Sequence, residues 1–237
     1  MRKILDLSPN FSKKSRSKSE IKFVIIHYTG MQSEIESLSK LKDNKSNVSC
    51  HYLIGRKGNV IQLVKDSKIA WHAGKSRWKE FRNLNKNSIG IELVNKGHNF
   101  GYEKFSFKQI ESLKLLCKKI KKKYKIPENN FLGHSDIAPL RKIDPGEKFP
   151  WKFLNKNKIG VWHNINFKIL ESLRGKKSEN LYKFIIYLKN FGYNMEYTNS
   201  RELRKIIKIF QMRFRPELID GKLDAECYEI AKSLYNL

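Results

Sequence analysis

The sequence is poor in cysteine. It has three cysteines in 237 residues, Cys50, Cys117 and Cys227, at wide spacings and without a CxxC motif. These features argue against a disulfide framework and against a zinc site built from thiolates. We therefore expect three reduced thiols, mostly buried in the protein.

The chain also lacks a long hydrophobic run. No stretch approaches the roughly 20 apolar residues that a membrane helix requires, and the apolar residues before Pro9 are too few for the core of a signal peptide. We expect no transmembrane segment. The cytoplasm is the expected compartment, and the periplasm or cell envelope is the alternative.

Acidic residues are scarce, since 23 Asp and Glu stand against 49 Lys and Arg and leave a net charge of +26. This excess favours a polyanionic neighbour, such as nucleic acid, an anionic membrane surface or an acidic cell-wall polymer. Most cations are Lys and Asn is abundant, so the codon bias of an AT-rich genome is a rival explanation. Because no nucleic-acid-binding module is recognisable, we expect no specific nucleic-acid partner.

Short apolar runs predict strands in a chain whose hydrophobic content, 40%, is that of a globular protein. The run FVIIHYTG (23–30) carries His27 near its end, and two runs within residues 49–64 predict a β-hairpin. The run SIGIELV (88–94) predicts a strand in which Glu92 points away from the face of three apolar side chains. A carboxylate there is costly to bury unless it is paired or faces a cleft.

Helical patterns dominate the rest of the chain. Ser106 and Gln109 form a capping-box signal, and apolar residues at helical spacing follow until Pro127 stops the run. The lysines of this helix are expected to form its solvated side. Three more segments have helical spacing: 181–193, 202–214 and 225–235. They predict a small C-terminal helical bundle.

The stretch GHSDIAPLRKIDPG (133–146) places a histidine and two aspartates in a loop shaped by proline and glycine. His27 and His134 each end a strand-like run, and Asp144 lies in this loop. Imidazole nitrogens and a carboxylate oxygen suit zinc, and a catalytic zinc characteristically has three protein ligands and a water. Each residue also has a common structural alternative, a hydrogen-bonded histidine or simple turn chemistry for Asp144.

Five motifs occur along the chain in a characteristic order: FVIIHYTG, SCHYLIGRKGNVIQLV, AWHAG, LNKNSIGIELV and GHSDIAPLRKIDPG. Over residues 20–153 the sequence resembles the zinc-dependent N-acetylmuramoyl-L-alanine amidases of the type-2 amidase and peptidoglycan-recognition-protein family. Within this family it resembles the 1,6-anhydro-muramyl-L-alanine amidases that have a C-terminal peptidoglycan-binding-like module. The resemblance implies an α/β fold, a mixed central β-sheet flanked by helices, with a small C-terminal three-helix domain.

The resemblance also implies roles for residues at the matching positions. His27, His134 and Asp144 correspond to the zinc ligands. Glu92 corresponds to the catalytic acid and base, and Lys142 to a second catalytic group. Some relatives have cysteine as the third ligand, where this chain has Asp144.

Other residues have weaker assignments. The resemblance places three residues in the substrate groove, Tyr28, Trp71 and His72, although Trp71 is equally suited to the core. Arg77 and Arg82 are candidates for pairing with a stem-peptide carboxylate, because guanidinium binds carboxylate with two parallel hydrogen bonds. Solvation at the surface is the equal alternative for both.

Three histidines lie outside these assignments. His51 follows Cys50 in a predicted strand and is expected to be structural. His98 and His163 have no motif around them and receive no role.

The implied domain organisation has four parts. They are an N-terminal extension (1–20), a zinc amidase catalytic domain (21–155), a linker (156–174) and a helical domain (175–237) that looks like a peptidoglycan-binding module. We expect a monomer.

The implied activity is hydrolysis of the amide between N-acetylmuramic acid, including its 1,6-anhydro form, and L-alanine of peptidoglycan stem peptides. Such an enzyme takes Zn²⁺ as cofactor and peptidoglycan or muropeptides as substrate, in cell-wall turnover or recycling. Some family members have lost zinc ligands and only bind peptidoglycan, so a non-catalytic recognition module is the alternative. The presence of all three ligand positions together with Glu92 and Lys142 favours catalysis.

Overall fold

The structure, a computed structural model, describes residues 3–177 and 180–237. These residues contain ten β-strands: β1 (Lys3–Leu5), β2 (Phe11–Ser15), β3 (Phe23–Tyr28), β4 (Tyr52–Ile54), β5 (Val60–Gln62), β6 (Lys68–Ala70), β7 (Arg77–Trp78), β8 (Phe81–Arg82), β9 (Ser88–Leu93) and β10 (Phe131–Gly133). They also contain eight α-helices: α1 (Glu34–Lys42), α2 (Phe107–Tyr124), α3 (His134–Ile137), α4 (Trp151–Lys156), α5 (Phe167–Leu173), α6 (Leu181–Phe191), α7 (Ser200–Phe214) and α8 (Ala225–Tyr235).

Six strands form the central sheet, in the order β1-β5-β4-β9-β3-β10. The four strands β4, β9, β3 and β10 run parallel to one another, whereas β5 pairs antiparallel with β4 as the predicted hairpin. The sheet is therefore mixed, and the predicted fold class is confirmed. Two small antiparallel ribbons, β2 with β6 and β7 with β8, lie outside it.

Helix α2 covers one face of the sheet. It begins where the capping-box signal predicts, because the Ser106 side chain accepts a hydrogen bond from the Gln109 N–H at 3.2 Å. Its buried side chains, including Leu113 and Ile120, pack in one cluster with Val24 of β3 and Ile91 of β9. This face is the one that Glu92 avoids.

The C-terminal helices cover the opposite face. Phe23 and Ile25 of β3 belong to the same buried cluster as Phe210 of α7 and other side chains of α6 and α8. The three predicted C-terminal helices are confirmed. Segment 156–174, expected as a linker, contains α5, and Leu170 of that helix is buried in this cluster. The sheet therefore packs between two helical layers, and β3 is apolar on both faces as far as His27.

The segment before β3 also contributes strands to the sheets. β1 pairs parallel with β5, and β2 pairs antiparallel with β6. Helix α1 lies outside the sequence-based predictions. Its hydrophobic periodicity is weak because the buried side chains of this helix are Ser37 and Leu41.

The three cysteines, Cys50, Cys117 and Cys227, are free and buried, as predicted. In the part of the chain that the structure describes, no helix combines the length and the hydrophobicity needed to cross a membrane.

His51 is a fully buried residue whose two ring nitrogens both bond to backbone groups. Nδ1 accepts from the Gly90 N–H at 3.0 Å, and Nε2 lies 3.1 Å from the Lys68 carbonyl and 2.7 Å from Nη2 of Arg16. Protonation of Nδ1 would break the bond to Gly90. Burial, and then the charge of Arg16, lowers the pKa of His51 to about 3.

Because of His51, the metal-free protein should lose stability as the pH falls below the ordinary histidine pKa of 6.5. The unfolded chain then takes up a proton that the folded protein refuses until about pH 3, at a cost approaching about 1.4 kcal/mol per pH unit. Urea unfolding at pH 7 and pH 5 measures this loss. The pKa values of His27 and His72 are also lowered, so these residues add to the same loss of stability at low pH. The test therefore compares the wild type with His51→Gln, whose free energy of unfolding should fall less between pH 7 and pH 5. Identical sensitivity in the two proteins would contradict it.

Candidate active site

Three adjacent parallel strands deliver the predicted site residues to one edge of the sheet. His27 of β3 pairs in register with Glu92 of β9, near the carboxyl ends of both strands. Gly133, the last residue of β10, pairs with Ile26, so His134 leaves β10 level with His27. Asp144 reaches the same place on the loop that follows α3. Carboxyl ends of parallel strands are where sites in such sheets usually lie.

The side chains of His27, His134 and Asp144 form a nearly equilateral triangle of donor atoms. His27 Nδ1 lies 3.0 Å from His134 Nδ1 and 3.0 Å from Asp144 Oδ2, and His134 Nδ1 lies 3.1 Å from the same oxygen. Ligand atoms at tetrahedral zinc distances lie about 3.3 Å apart. All three residues are buried. They therefore fit one small transition-metal ion and form a possible metal site.

The second nitrogen of each imidazole bonds to a neighbouring group. His134 Nε2 lies 3.1 Å from the Ala73 carbonyl and 3.3 Å from Arg141 Nη2, and with its proton directed to the nearer carbonyl, Nδ1 is free to act as a ligand. His27 Nε2 lies 3.1 Å from His72 Nδ1. Metal-binding histidines characteristically use their second nitrogen in this way.

A chain of hydrogen bonds determines which nitrogen of His27 carries the proton. Ser88 Oγ donates to the Leu84 carbonyl at 2.6 Å and therefore accepts from His72 Nε2, at 3.2 Å. His72 Nδ1 then has a free lone pair and accepts from His27 Nε2–H. This leaves His27 Nδ1 unprotonated toward the possible metal site.

The His72 ring lies directly against the backbone of β9. A Cβ atom on Gly90 would lie 2.4 Å from His72 Cγ, so a larger residue does not fit beneath the ring. A glycine inside a strand often marks such a close approach. Gly90 is thus the sequence signal that predicts a group packed on this face of the sheet.

The protonation states of His27 and Asp144 suit metal binding. Burial, and then the nearby His134, lowers the pKa of His27 to about 4, so His27 is neutral at pH 7. Burial alone opposes ionisation of Asp144, but interactions with His134 and His27 together hold its pKa well below the usual range.

Glu92 lies beside the triangle with an unsatisfied oxygen. Its Oε2 is shielded from solvent and has no hydrogen-bond partner among the residues that the structure describes. Burial, and then the charge of Asp144, raises the pKa of Glu92 to about 8, against the opposing effect of Lys142. A carboxyl group with a pKa near neutrality is suited to accepting and returning a proton.

All eight predicted site residues line one open cleft of about 500 Å³. They are His27, Tyr28, Trp71, His72, Glu92, His134, Lys142 and Asp144. Arg77 and Arg82 line a separate cleft, where Arg77 forms an ion pair with Glu196.

His98 also lines the cleft, although no sequence motif surrounds it. Its Nδ1 lies 2.9 Å from the Tyr28 hydroxyl, its Nε2 lies 3.0 Å from Glu147 Oε2, and its ring stacks on Tyr102. These contacts join the end of β3 to two loops, and no local pattern in the sequence predicts them.

A buried cluster of two histidines and an aspartate beside an unpaired carboxylate oxygen, in a cleft at a sheet edge, is typical of metal-using hydrolases. A family model described as N-acetylmuramoyl-L-alanine amidase matches residues 17–147. The chain belongs to this family, and the predicted enzyme class, an amidase acting on peptidoglycan, is confirmed.

Individual relatives extend the similarity to the C-terminal helices. The N-acetylmuramoyl-L-alanine amidase AmiD of Escherichia coli (strain K12) is 38% identical over 230 residues, which are 90% of this chain and 82% of the relative. The structure of E. coli AmiD with the substrate anhydro-N-acetylmuramic acid-L-Ala-D-gamma-Glu-L-Lys matches with a TM-score of 0.82 and 35% identity, over 95% of this chain and 92% of that chain. AMPDH3 from Pseudomonas aeruginosa in complex with anhydromuramic pentapeptide matches with a TM-score of 0.81 and 30% identity, over 96% of each chain.

The His72 hydrogen bonds predict an effect on metal binding. His72→Ala should weaken zinc binding by about 10- to 100-fold, because His27 loses the partner that sets its tautomer and ring orientation. Competition with a chromophoric chelator measures the affinity. The matched control is His98→Ala, which removes another cleft histidine without touching the triangle and should leave zinc affinity unchanged. Equal affinity of His72→Ala and the wild type would refute the inferred role.

Proposed function

We propose that the protein is a zinc-dependent hydrolase of the amide between the lactyl group of N-acetylmuramic acid and L-alanine of the stem peptide. The substrates include the 1,6-anhydro form. The observation that carries this proposal is the triangle of His27, His134 and Asp144 beside the unpaired oxygen of Glu92. A module that only recognises peptidoglycan needs neither feature.

His27, His134 and Asp144 would hold the zinc ion. A bound zinc ion polarises an amide carbonyl and lowers the pKa of water toward neutrality. The hydrogen bonds from the second nitrogens of the two histidines keep their Nδ1 atoms aimed at the ion.

Glu92 is the proposed proton carrier. It accepts a proton from the attacking water and returns it to the departing amine of L-alanine. Its position opposite His27 in the strand register places it on the same side of the sheet as the ligands. Its unsatisfied Oε2 is available for the water proton.

Lys142 is proposed to stabilise the oxygen of the reacting amide. It lies two residues before Asp144 on the loop and lines the cleft. Its ammonium group offsets the negative charge that develops on this oxygen in the transition state, and an interaction that strengthens there accelerates the reaction.

The lining of the cleft suits an anionic muropeptide. Lys40, Lys96 and Arg141 line it with Lys142, and these cations match the carboxylates of a stem peptide. Tyr28 and Trp71 offer aromatic surface to the less polar parts of the substrate. Both related structures named above contain anhydromuramyl peptides.

Parallel digestion of purified sacculi and of anhydro-muropeptides, with mass detection of the products, tests the proposal. Free stem peptides should appear from both substrates, disappear with a chelator and return when zinc is added. A protein that binds no zinc but still binds muropeptides would instead be the recognition module.

Glu92→Gln should lower turnover by roughly a hundredfold or more, because the amide cannot accept the proton of water. Zinc should stay bound at full stoichiometry, which metal analysis checks in the same sample. The control is Glu111→Gln, which removes the carboxylate that pairs with Lys114 on the surface of α2, and its turnover should equal that of the wild type. If Glu92→Gln keeps most of the activity, Glu92 is a structural partner only.

A further inference from the structure

Asp136 lies in the ligand loop, which we define as residues 133–144, and it is 1% exposed. Its Oδ2 accepts a hydrogen bond from the backbone N–H of Gly133 at 2.6 Å. Since Gly133 directly precedes His134, this bond holds the backbone from which the ligand histidine projects.

Two groups from the C-terminal region bind the same carboxylate. The Tyr193 hydroxyl donates to Asp136 Oδ1 at 2.7 Å, and Arg213 of α7 forms a buried ion pair with Oδ2. Burial, and then the charge of Asp136, raises the pKa of Tyr193 well above its usual value, so this hydroxyl remains a donor. The loop is thus attached to the C-terminal helices by charged and neutral hydrogen bonds.

Arg213 is itself held in place on several sides. It is 3% exposed, and its guanidinium lies over the Trp151 ring at 4.1 Å from the centroid. Its Nη2 lies 3.4 Å from the carbonyl oxygen of Phe131 on the edge strand β10. A buried ion pair is often no more stabilising than a well-packed apolar pair of the same size. The Arg213–Asp136 ion pair therefore matters here for the position in which it holds the ligand loop, and not for the stability of the fold.

The two ends of the ligand loop are tied to each other. The Ser135 N–H donates to the Asp144 carbonyl at 2.9 Å. A Cβ on Gly133 would lie 2.6 Å from Pro145 Cδ, so the backbone segments at the two ends are in close contact. A displacement at Gly133 consequently moves both His134 and Asp144.

We propose that Arg213 is a positioning residue for the metal site. Through Asp136 it fixes the ligand loop, so that the C-terminal helices belong to the scaffold that aims two of the three metal ligands. This inference rests on the proposed zinc site and adds a role for helix α7.

The test compares two buried arginines of the full-length protein. Arg213→Met should weaken zinc binding by about 10- to 100-fold, as losses around metal ligands typically do, and should alter the visible spectrum of the cobalt(II)-substituted protein. Arg215 is the matched control, because it is 1% exposed and its ion-pair partners, Asp220, Asp224 and Glu226, lie in the C-terminal region. Arg215→Met should lower the unfolding temperature but leave the zinc affinity of the folded protein unchanged.

Wild-type zinc affinity and cobalt spectrum in Arg213→Met would overturn the inference. An equal loss of affinity in Arg215→Met would also overturn it, because the effect would then follow stability alone. If Arg213→Met does not fold, the double variant Arg213→Met with Asp136→Asn leaves no unpaired charge and is measured in its place. This variant should bind zinc weakly, and wild-type affinity in it overturns the inference. A wild-type protein that binds no zinc overturns the proposed function, and the inference with it.

Discussion

The parallel pairing of β3 with its two neighbours is the constraint on which the site depends. Backbone hydrogen bonds set His27 opposite Glu92. They also pair Gly133, the last residue of β10, with Ile26, so that His134 follows at the level of His27. Two imidazoles and a carboxylate from distant parts of the chain are thereby placed on adjacent strands, with His27 one strand spacing, about 4.8 Å, from each of the other two. Side-chain hydrogen bonds then refine positions that the sheet has already established.

Sequence reasoning predicts the elements whose pattern reflects burial. β3 is a short apolar run because both of its faces are covered, β9 has apolar side chains on the face that α2 covers, and α2 shows an apolar stripe for the same reason. The same patterns identify the face of Glu92, since an acidic residue interrupts an apolar strand. The candidate ligand positions, in contrast, are individually ambiguous in the sequence, and it is the ordered motifs of the family that single them out.

The remaining contacts depend on residues that come together only in the folded chain. His72 packs on Gly90 and His98 bonds to Tyr28, in each case across a long stretch of sequence. In the sequence, nothing distinguishes Arg213 from the many solvated cations of a chain with net charge +26. In the structure, however, it is buried against the ligand loop. Helical periodicity places it on α7 but cannot show that the exposed-looking position faces an aspartate of another segment.

The buried carboxylates at the carboxyl ends of the parallel strands differ in whether their oxygens have hydrogen-bond partners, and this difference separates structural from chemical roles. Asp136 is a buried carboxylate that accepts hydrogen bonds from the Gly133 N–H and the Tyr193 hydroxyl, and the buried Asp144 lies within 3.1 Å of the Nδ1 atoms of His27 and His134. Glu92 differs, because no donor in the described ranges reaches its shielded Oε2. An unpaired buried oxygen typically destabilises a folded protein by about 1–3 kcal/mol. A fold that satisfies the neighbouring Asp136 but leaves Glu92 unpaired supports the proton-accepting role proposed for Glu92, since functional sites are where such violations are expected.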